Sequence, residues 1–377
     1  MISYKYKLYR TDKTKHLDKM LREAAFVWNH ALALQKRYYL MYHKYIGSAC
    51  MKAHFAKRIS RNLLHSQSVQ EILERLDDAY KRFFKHLAAR TPKFRRAKDF
   101  SSIVFKQGGY SLNGNVLTIN RISKRFKFSL SRPYDGNVKT LTVKRSPLGE
   151  YFIIMVLDKA PVSLGKTHNG ASVGIDFGLK TYMTMSDGTT VKNPQFLKAT
   201  LSRVQRASRK LSKTASNSHH RQARRKKLDR ILERIVNQRN EFQWKLAHHL
   251  CRQYDRIFIE DLQLTGMTAL WGRKMSDLAH GAFATKLEYV ASKYGVTVHK
   301  IDRFYPSSKA CTCGYVNKQL QLKDRQWTCP ECGAVHSRDL LAAQNILRQG
   351  IAELESTSKT PSARRARVRL HPRISSL

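Results

Sequence analysis

The sequence predicts an α/β protein of two lobes. Three observations carry that prediction: one early strand set apart by helices from a later group of strands, a second half in which strands alternate with long helices, and paired cysteines just before the final helix. The 377 residues are 42% hydrophobic, which supports more than one packed core and is unlike a disordered basic tail.

Taken in order, the first ten residues alternate Ile2, Tyr4, Tyr6 and Leu8 with polar neighbours, the period of a strand. From about 16 to 45 the period lengthens, and Leu17, Met20, Leu21, Ala24, Trp28, Ala31 and Leu32 share one helical face. A second helix starts near Ser68, where Ser68 and Glu71 have capping-box spacing, and Pro92 follows its end. Residues 101–106, 115–120, 126–130, 139–144 and 151–157 read as strands between Gly, Asn, Pro and Ser turns. Residues 1–12 and 92–162 therefore form one β-barrel-like domain carrying a helical insertion at 13–91, with a linker at 161–170.

Residues 171–176 and 181–186 open the second lobe as strands, with an Asp187-Gly188 hairpin turn leading to a third. Residues 198–250 are polar and helical, interrupted by a Ser-rich stretch at 214–218. A strand at 256–259, a helix from about 276 to 294, a strand at 296–301 and a helix at 340–350 complete it. The tail, 351–377, turns Arg-rich with Ser and Pro from about Ser356 and is expected to be disordered.

Lys and Arg total 71 against 27 Asp and Glu, a net charge of +44, which points to a polyanionic partner whose counterions are released on binding. A membrane surface is the weaker reading: no apolar run is long enough to span, and the N-terminus lacks a signal-peptide core. Cys50 and Cys251 stand alone as ordinary thiols, and a reducing, cytoplasmic location is expected.

The chemistry lies in three carboxylates. Asp176 ends an apolar strand and is followed by Gly178, which leaves room for a phosphate; Glu260 ends the next strongly apolar strand; Asp339 opens the last helix. Carboxylates converging from strand ends suit two-metal phosphodiester hydrolysis, with two Mg²⁺ ions as cofactors. Taken singly, Asp176 with Gly178 also fits an actin-like ATPase, but no later Gly-rich adenosine loop appears. Cys311, Cys313, Cys329 and Cys332 offer four thiolates to one structural zinc, although the first pair is a residue shorter than the common spacing, and His336 is near enough to replace one thiolate. Between 201 and 240, 13 residues are Lys or Arg and 2 are acidic; Arg221, Arg224, Arg225, Lys226 and Lys227 are expected to track a phosphate backbone.

Residues 174–178, 257–262, the run Phe304-Tyr305-Pro306-Ser307-Ser308-Lys309 and the stretch 311–346 together resemble the TnpB (OrfB) proteins of insertion sequences, compact relatives of type V CRISPR effector nucleases. Residues 70–84 are similar to that family's recognition helix. The resemblance implies an RNase H-like (RuvC) nuclease domain at 166–305 and 336–350 with a zinc ribbon inserted at 306–335. It implies an RNA-guided DNA endonuclease whose guide RNA comes from the transposon end and whose double-stranded DNA target lies beside a short adjacent motif. Asp176, Glu260 and Asp339 fall on the family's catalytic positions, the four cysteines on its zinc positions, and motif reading falls in the N-terminal half, around Tyr38, Tyr39, Lys52, Gln67 and Gln70. Ser337 and Leu341 replace polar residues common in the family beside the third carboxylate. A monomer is favoured; a non-catalytic RNA-guided regulator and a guide-independent nuclease or transposase are the competing readings.

Overall fold

The computed structural model describes residues 1–58, 63–160, 163–165, 168–216, 218–261, 277–321 and 324–358. It divides into two units, Met1–Pro161 and Val162–Leu377. Of the tail expected over 351–377, residues 351–358 are described and 359–377 lie outside the described residues.

In the first unit β1 (Ile2–Lys7) is followed by α1 (Thr14–Tyr42), α2 (Ser48–Arg58) and α3 (Ser66–Phe84), and then by β2 (Ser102–Phe105), β3 (Tyr110–Asn113), β4 (Val116–Ile119), β5 (Lys124–Lys127), β6 (Val138–Arg145) and β7 (Tyr151–Leu157). β1 returns to pair antiparallel with β7, from Ile2 opposite Leu157 to Lys7 opposite Phe152, giving a sheet of order β1-β7-β6-β2. A second sheet, β3-β4-β5, joins it through the bridge between Leu8 and Phe128. Strand and helix stripes meet in one core that includes Tyr6, Trp28, Ile72, Phe105, Phe128 and Ile153.

Two local expectations are corrected. The third helix begins before Ser68, because His65 is the cap and its ring accepts from the Gln67 N–H. Ser68 is buried inside the first turn with no hydrogen-bond partner for its hydroxyl, and Glu71 pairs with Arg75 instead of closing a capping box. α2 is an addition to the expected elements: only Met51 and Phe55 anchor it, too few positions to set a period.

The second unit contains β8 (Ser172–Asp176), β9 (Thr181–Met185), β10 (Thr190–Lys192), α4 (Phe196–Ser212), α5 (His219–Gln253), β11 (Arg256–Glu260), α6 (His280–Tyr294), β12 (Thr297–Ile301), β13 (Gln326–Thr328), β14 (Val335–Ser337) and α7 (Arg338–Ser358). The main sheet has the order β10-β9-β8-β11-β12. β8, β11 and β12 run parallel, so their carboxyl ends share one edge, the usual place for a ligand site in such sheets.

α7 lies directly on this sheet. A side chain at Gly174 would strike the Ala343 carbonyl and the Leu347 backbone, and one at Gly350 would strike the Phe258 ring. The last helix consequently runs on to Ser358, past the expected stop at 350: Gly350 serves close packing, not termination. Part of the expected linker is also fixed, since Asp255 accepts from the Gly170 N–H at 2.6 Å and meets His168 Nδ1 at 3.0 Å.

Candidate active site and metal centre

Asp176 ends β8 and Glu260 ends β11, and the register that pairs Ile175 with Ile259 makes the two acids neighbours on adjacent parallel strands. Asp339 arrives from a different direction. It sits one helical turn before Ala343, the residue whose carbonyl lies against Gly174, so the same helix face carries it toward the carboxyl end of β8.

Asp176 feels the other two carboxyls. Asp176 is raised to about 7, chiefly by burial and then by the charges of Asp339 and Glu260, with Arg338 and Arg325 opposing them only in part. Glu260 is raised as well, by burial. Asp339 is paired with Arg325 at 3.2 Å, across a half-exposed contact. Gly178 has a structural task of its own. A Cβ there would lie 2.7 Å from the Thr181 carbonyl, so the tight turn from β8 into β9 requires the glycine whether or not a phosphate approaches.

Behind the edge, His280 is buried and is pushed down to about 4, largely by burial, with the Gly178 backbone opposing the shift. Its ring lies 4.8 Å from Phe177 and 5.0 Å from Tyr182, so a neutral aromatic wall backs the Asp176 turn. No periodicity or motif marks His280 or Arg325; only contact across many residues shows them.

The four cysteines form a cluster able to hold a metal ion: the sulfurs of Cys311, Cys313, Cys329 and Cys332 all lie within 4.8 Å of one another. The short first spacing closes because the Gly314 N–H returns to the Cys311 carbonyl at 3.2 Å and Gly314 takes a φ of 100°. The second knuckle closes likewise through Gly333 and Cys329 at 2.9 Å. His336 lies 3.0 Å from the Cys311 sulfur, and Cys311 is lowered to about 5 by the Cys313 backbone N–H and the His336 imidazole, a thiol ready to bind as thiolate. Leu341 faces this centre, packed with Cys311, Trp327 and Cys329. Its apolar character therefore serves the ribbon core.

Two of the anticipated phosphate-tracking residues are occupied. Arg221 donates to the Thr214 carbonyl at 2.5 Å, and Arg224 to the Lys210 carbonyl at 3.0 Å, so both close the turn between α4 and α5. Arg225, Lys226 and Lys227 are exposed. The same hairpin holds an open groove of about 330 Å³ in which Arg203, Arg230 and Arg234 stand around Ile231 and Ile235. In the first unit Lys52 pairs with Glu74 at 2.7 Å, Gln67 accepts from the Gly108 N–H at 2.9 Å, and Gln70 is exposed.

Three family models match the chain: a helix-turn-helix domain of the OrfB_IS605 group over residues 1–44, OrfB_IS605, described as a probable transposase, over 156–270, and the Cas12f1-like TNB domain over 280–346. A Streptomyces pristinaespiralis protein named "Putative RNA-guided DNA endonuclease" is 31% identical over 363 residues, covering 93% of this chain and 89% of its own. InsQ of Escherichia coli K12, named in the same way, is 26% identical and covers 90% of this chain and 89% of its own. Among solved structures the fold is similar to Cas12f1 in its complex with guide RNA and target DNA, with a TM-score of 0.57 at 13% identity over 89% of this chain and 83% of that one. It is also similar to the mini RNA-guided endonuclease Cas-phi3, with a TM-score of 0.50 at 10% identity over 93% and 92% of the two chains. With a relative this similar along nearly its whole length, and with family models falling on both units, the chain belongs to the OrfB_IS605 (TnpB) family.

Proposed function

We propose that the chain is an insertion-sequence-encoded, RNA-guided DNA endonuclease that cuts beside a short transposon-adjacent motif by two-metal hydrolysis. The observation that carries the reading is the crowding of Asp176 by Asp339 and Glu260 at the carboxyl edge of the mixed sheet. All three donors are carboxylate oxygens, the set a hard divalent cation takes. Burial raises Asp176 first and the charges of Asp339 and Glu260 add to it, and a bound cation would relieve both.

Asp176, Glu260 and Asp339 would hold two Mg²⁺ ions, whose chemistry when bound is to activate water and stabilise the leaving oxygen of a phosphodiester. The protein's own part is placement. Two carboxylates are fixed by strand register, the third by a helix lying against β8, and the aromatic wall of Phe177, Tyr182 and His280 backs the turn after Asp176. Arg325, paired with Asp339, would compete with a cation for that carboxylate.

In this reading residues 166–305 and 336–350 are a RuvC-like domain, and 306–335 a zinc ribbon whose four thiolates leave no open position, so the zinc is structural. Residues 1–12 and 92–162 with the helical insertion 13–91 hold the guide RNA and inspect duplex DNA. The relatives' names and the net charge of +44 support nucleic acid as the partner.

The test is Mg²⁺-dependent cleavage by protein purified with its transposon-end RNA, on a guide-matched target beside a randomised flank. Asp176→Ala is expected to abolish cutting while RNA binding persists. Unchanged cleavage by that variant refutes the assignment, binding without cutting by the native complex moves the reading to a regulator, and cutting without RNA moves it to a guide-independent nuclease.

A further inference from the structure

The run from Phe304 to Lys309 is divided by the fold. Tyr305 packs against the cluster of Phe258, Ile301 and Ile346, and Ser307 is buried. Asn345 of α7 donates to the Ser307 and Ala310 carbonyls, each at 2.7 Å, pinning the loop to the helix that carries Asp339. Phe304 is the exception: it is 86% exposed, more than any other large hydrophobic residue described.

The exposure is built in. Asp302 Oδ1 accepts the Phe304 N–H at 2.8 Å, the Tyr305 N–H returns to the Asp302 carbonyl at 3.2 Å, and Arg303 is held by Asp261, the residue after Glu260. A ring on a mobile loop could fold back onto apolar surface. This one is fixed between an anchored Tyr305 and an anchored Arg303, so its face stays in water.

Its position matters more. Ile301 lies opposite Glu260 in the parallel ladder, and Phe304 follows three residues later, off the same edge that bears Asp176 and Glu260. Three residues span at most ~10 Å and neighbouring strands lie ~5 Å apart, so Phe304 stands at most about 15 Å from the Glu260 backbone. That is the rise of about four stacked nucleotides at ~3.4 Å each.

We propose that Phe304 is a stacking platform for a nucleobase of a single strand drawn across the carboxylate edge. The ligand class follows from the chemistry of the place. A flat apolar face beside the carboxylates proposed to hold the metal ions, on a chain of net charge +44, matches a base attached to a phosphate backbone. Stacking is indifferent to sequence, as a guided enzyme requires, and it selects an unpaired base over a closed duplex, whose faces are already covered. A protein partner fits less well, because a lone ring offers no contiguous apolar area. The inference rests on the proposed nuclease reading and adds a subsite to it.

The test combines Phe304→Ala and Phe304→Tyr with target strands carrying one abasic site, moved stepwise through the nucleotides flanking the cut. Phe304→Ala is expected to lower kcat/KM roughly five- to a hundredfold, the range of one base–aromatic stack, with Phe304→Tyr close to native. One abasic position should slow the native enzyme by a similar factor and Phe304→Ala hardly at all. Full activity of Phe304→Ala, or abasic effects that add to the substitution at every position, overturns the proposal. A second measurement does not need cutting: 2-aminopurine in a bound single strand should be quenched by the native protein and not by Phe304→Ala. Quenching in an RNA-loaded protein that fails to cut would sink the nuclease reading and keep the platform. Cutting by the native protein with no Phe304-dependent quenching would do the reverse. Loss of self-association or of protein capture in Phe304→Ala, with no change in quenching, would reassign the ring to a protein contact.

Discussion

At Asp176 the chain holds a carboxyl whose ionisation the fold opposes. Unfolded, the group ionises near its ordinary 3.8; folded and metal-free, it does so near 7. Between those values the folded chain binds the extra proton, so this residue's contribution to stability falls as pH rises. Asp176→Asn removes that cost. Without Mg²⁺ and with zinc retained, it is expected to melt higher than native at pH 8, by on the order of a few kcal/mol, and to match native near pH 4. Equal melting at pH 8 would show that the carboxyl is not strained. The positions of Asp176, Glu260 and Asp339 at strand ends and a helix start were legible in the sequence because the flanking periods are local. Arg325, His280 and the burial of Leu341 were not, because each depends on an interaction made across the fold.

Among the elements, the α4–α5 hairpin separates basic residues by task. Arg221 and Arg224 tie down the end of α4, while Arg203, Arg230 and Arg234 line an open groove. Alanine at the three groove positions is expected to reduce the salt dependence of nucleic-acid binding by up to about 0.9 in log–log slope for each phosphate no longer neutralised, with the melting temperature unchanged. Arg221→Ala with Arg224→Ala is expected to lower the melting temperature more than the slope. Filter binding from 50 to 300 mM salt (roughly the range over which such charges are screened) separates the two pairs of outcomes. The sequence marked Arg221 and Arg224 as backbone-tracking residues, but it could not tell a guanidinium that binds its own chain from one left open to solvent. The same blindness explains the capping box read at Ser68 and the stop read at Gly350: each residue type was right for the motif, and burial gave it another use.

Over the whole molecule, 71 basic against 27 acidic residues make self-repulsion a general cost of folding. RNA-stripped protein is expected to gain thermal stability as salt rises from low to physiological levels, whereas the RNA-loaded protein gains little; parallel curves would mean the charge is already compensated within the chain. The order of elements was readable almost throughout, since strand and helix periods are local and each unit has a large core to enforce them. The chain's return from β1 to β7 was readable only as a domain pattern, because register is set by pairing between residues far apart in the chain, as in Ile2 against Leu157. The packing of α7 on the main sheet reaches further. Where Gly174 meets Ala343 and Gly350 meets Phe258, backbone or ring fills the space in which a side chain would stand, so no choice of residue can improve the fit. In a saturation library selected for cutting, positions 174 and 350 would come back as glycine alone. Improved variants would have to be sought elsewhere, for selection has no gradient to climb at a position where every alternative is a collision.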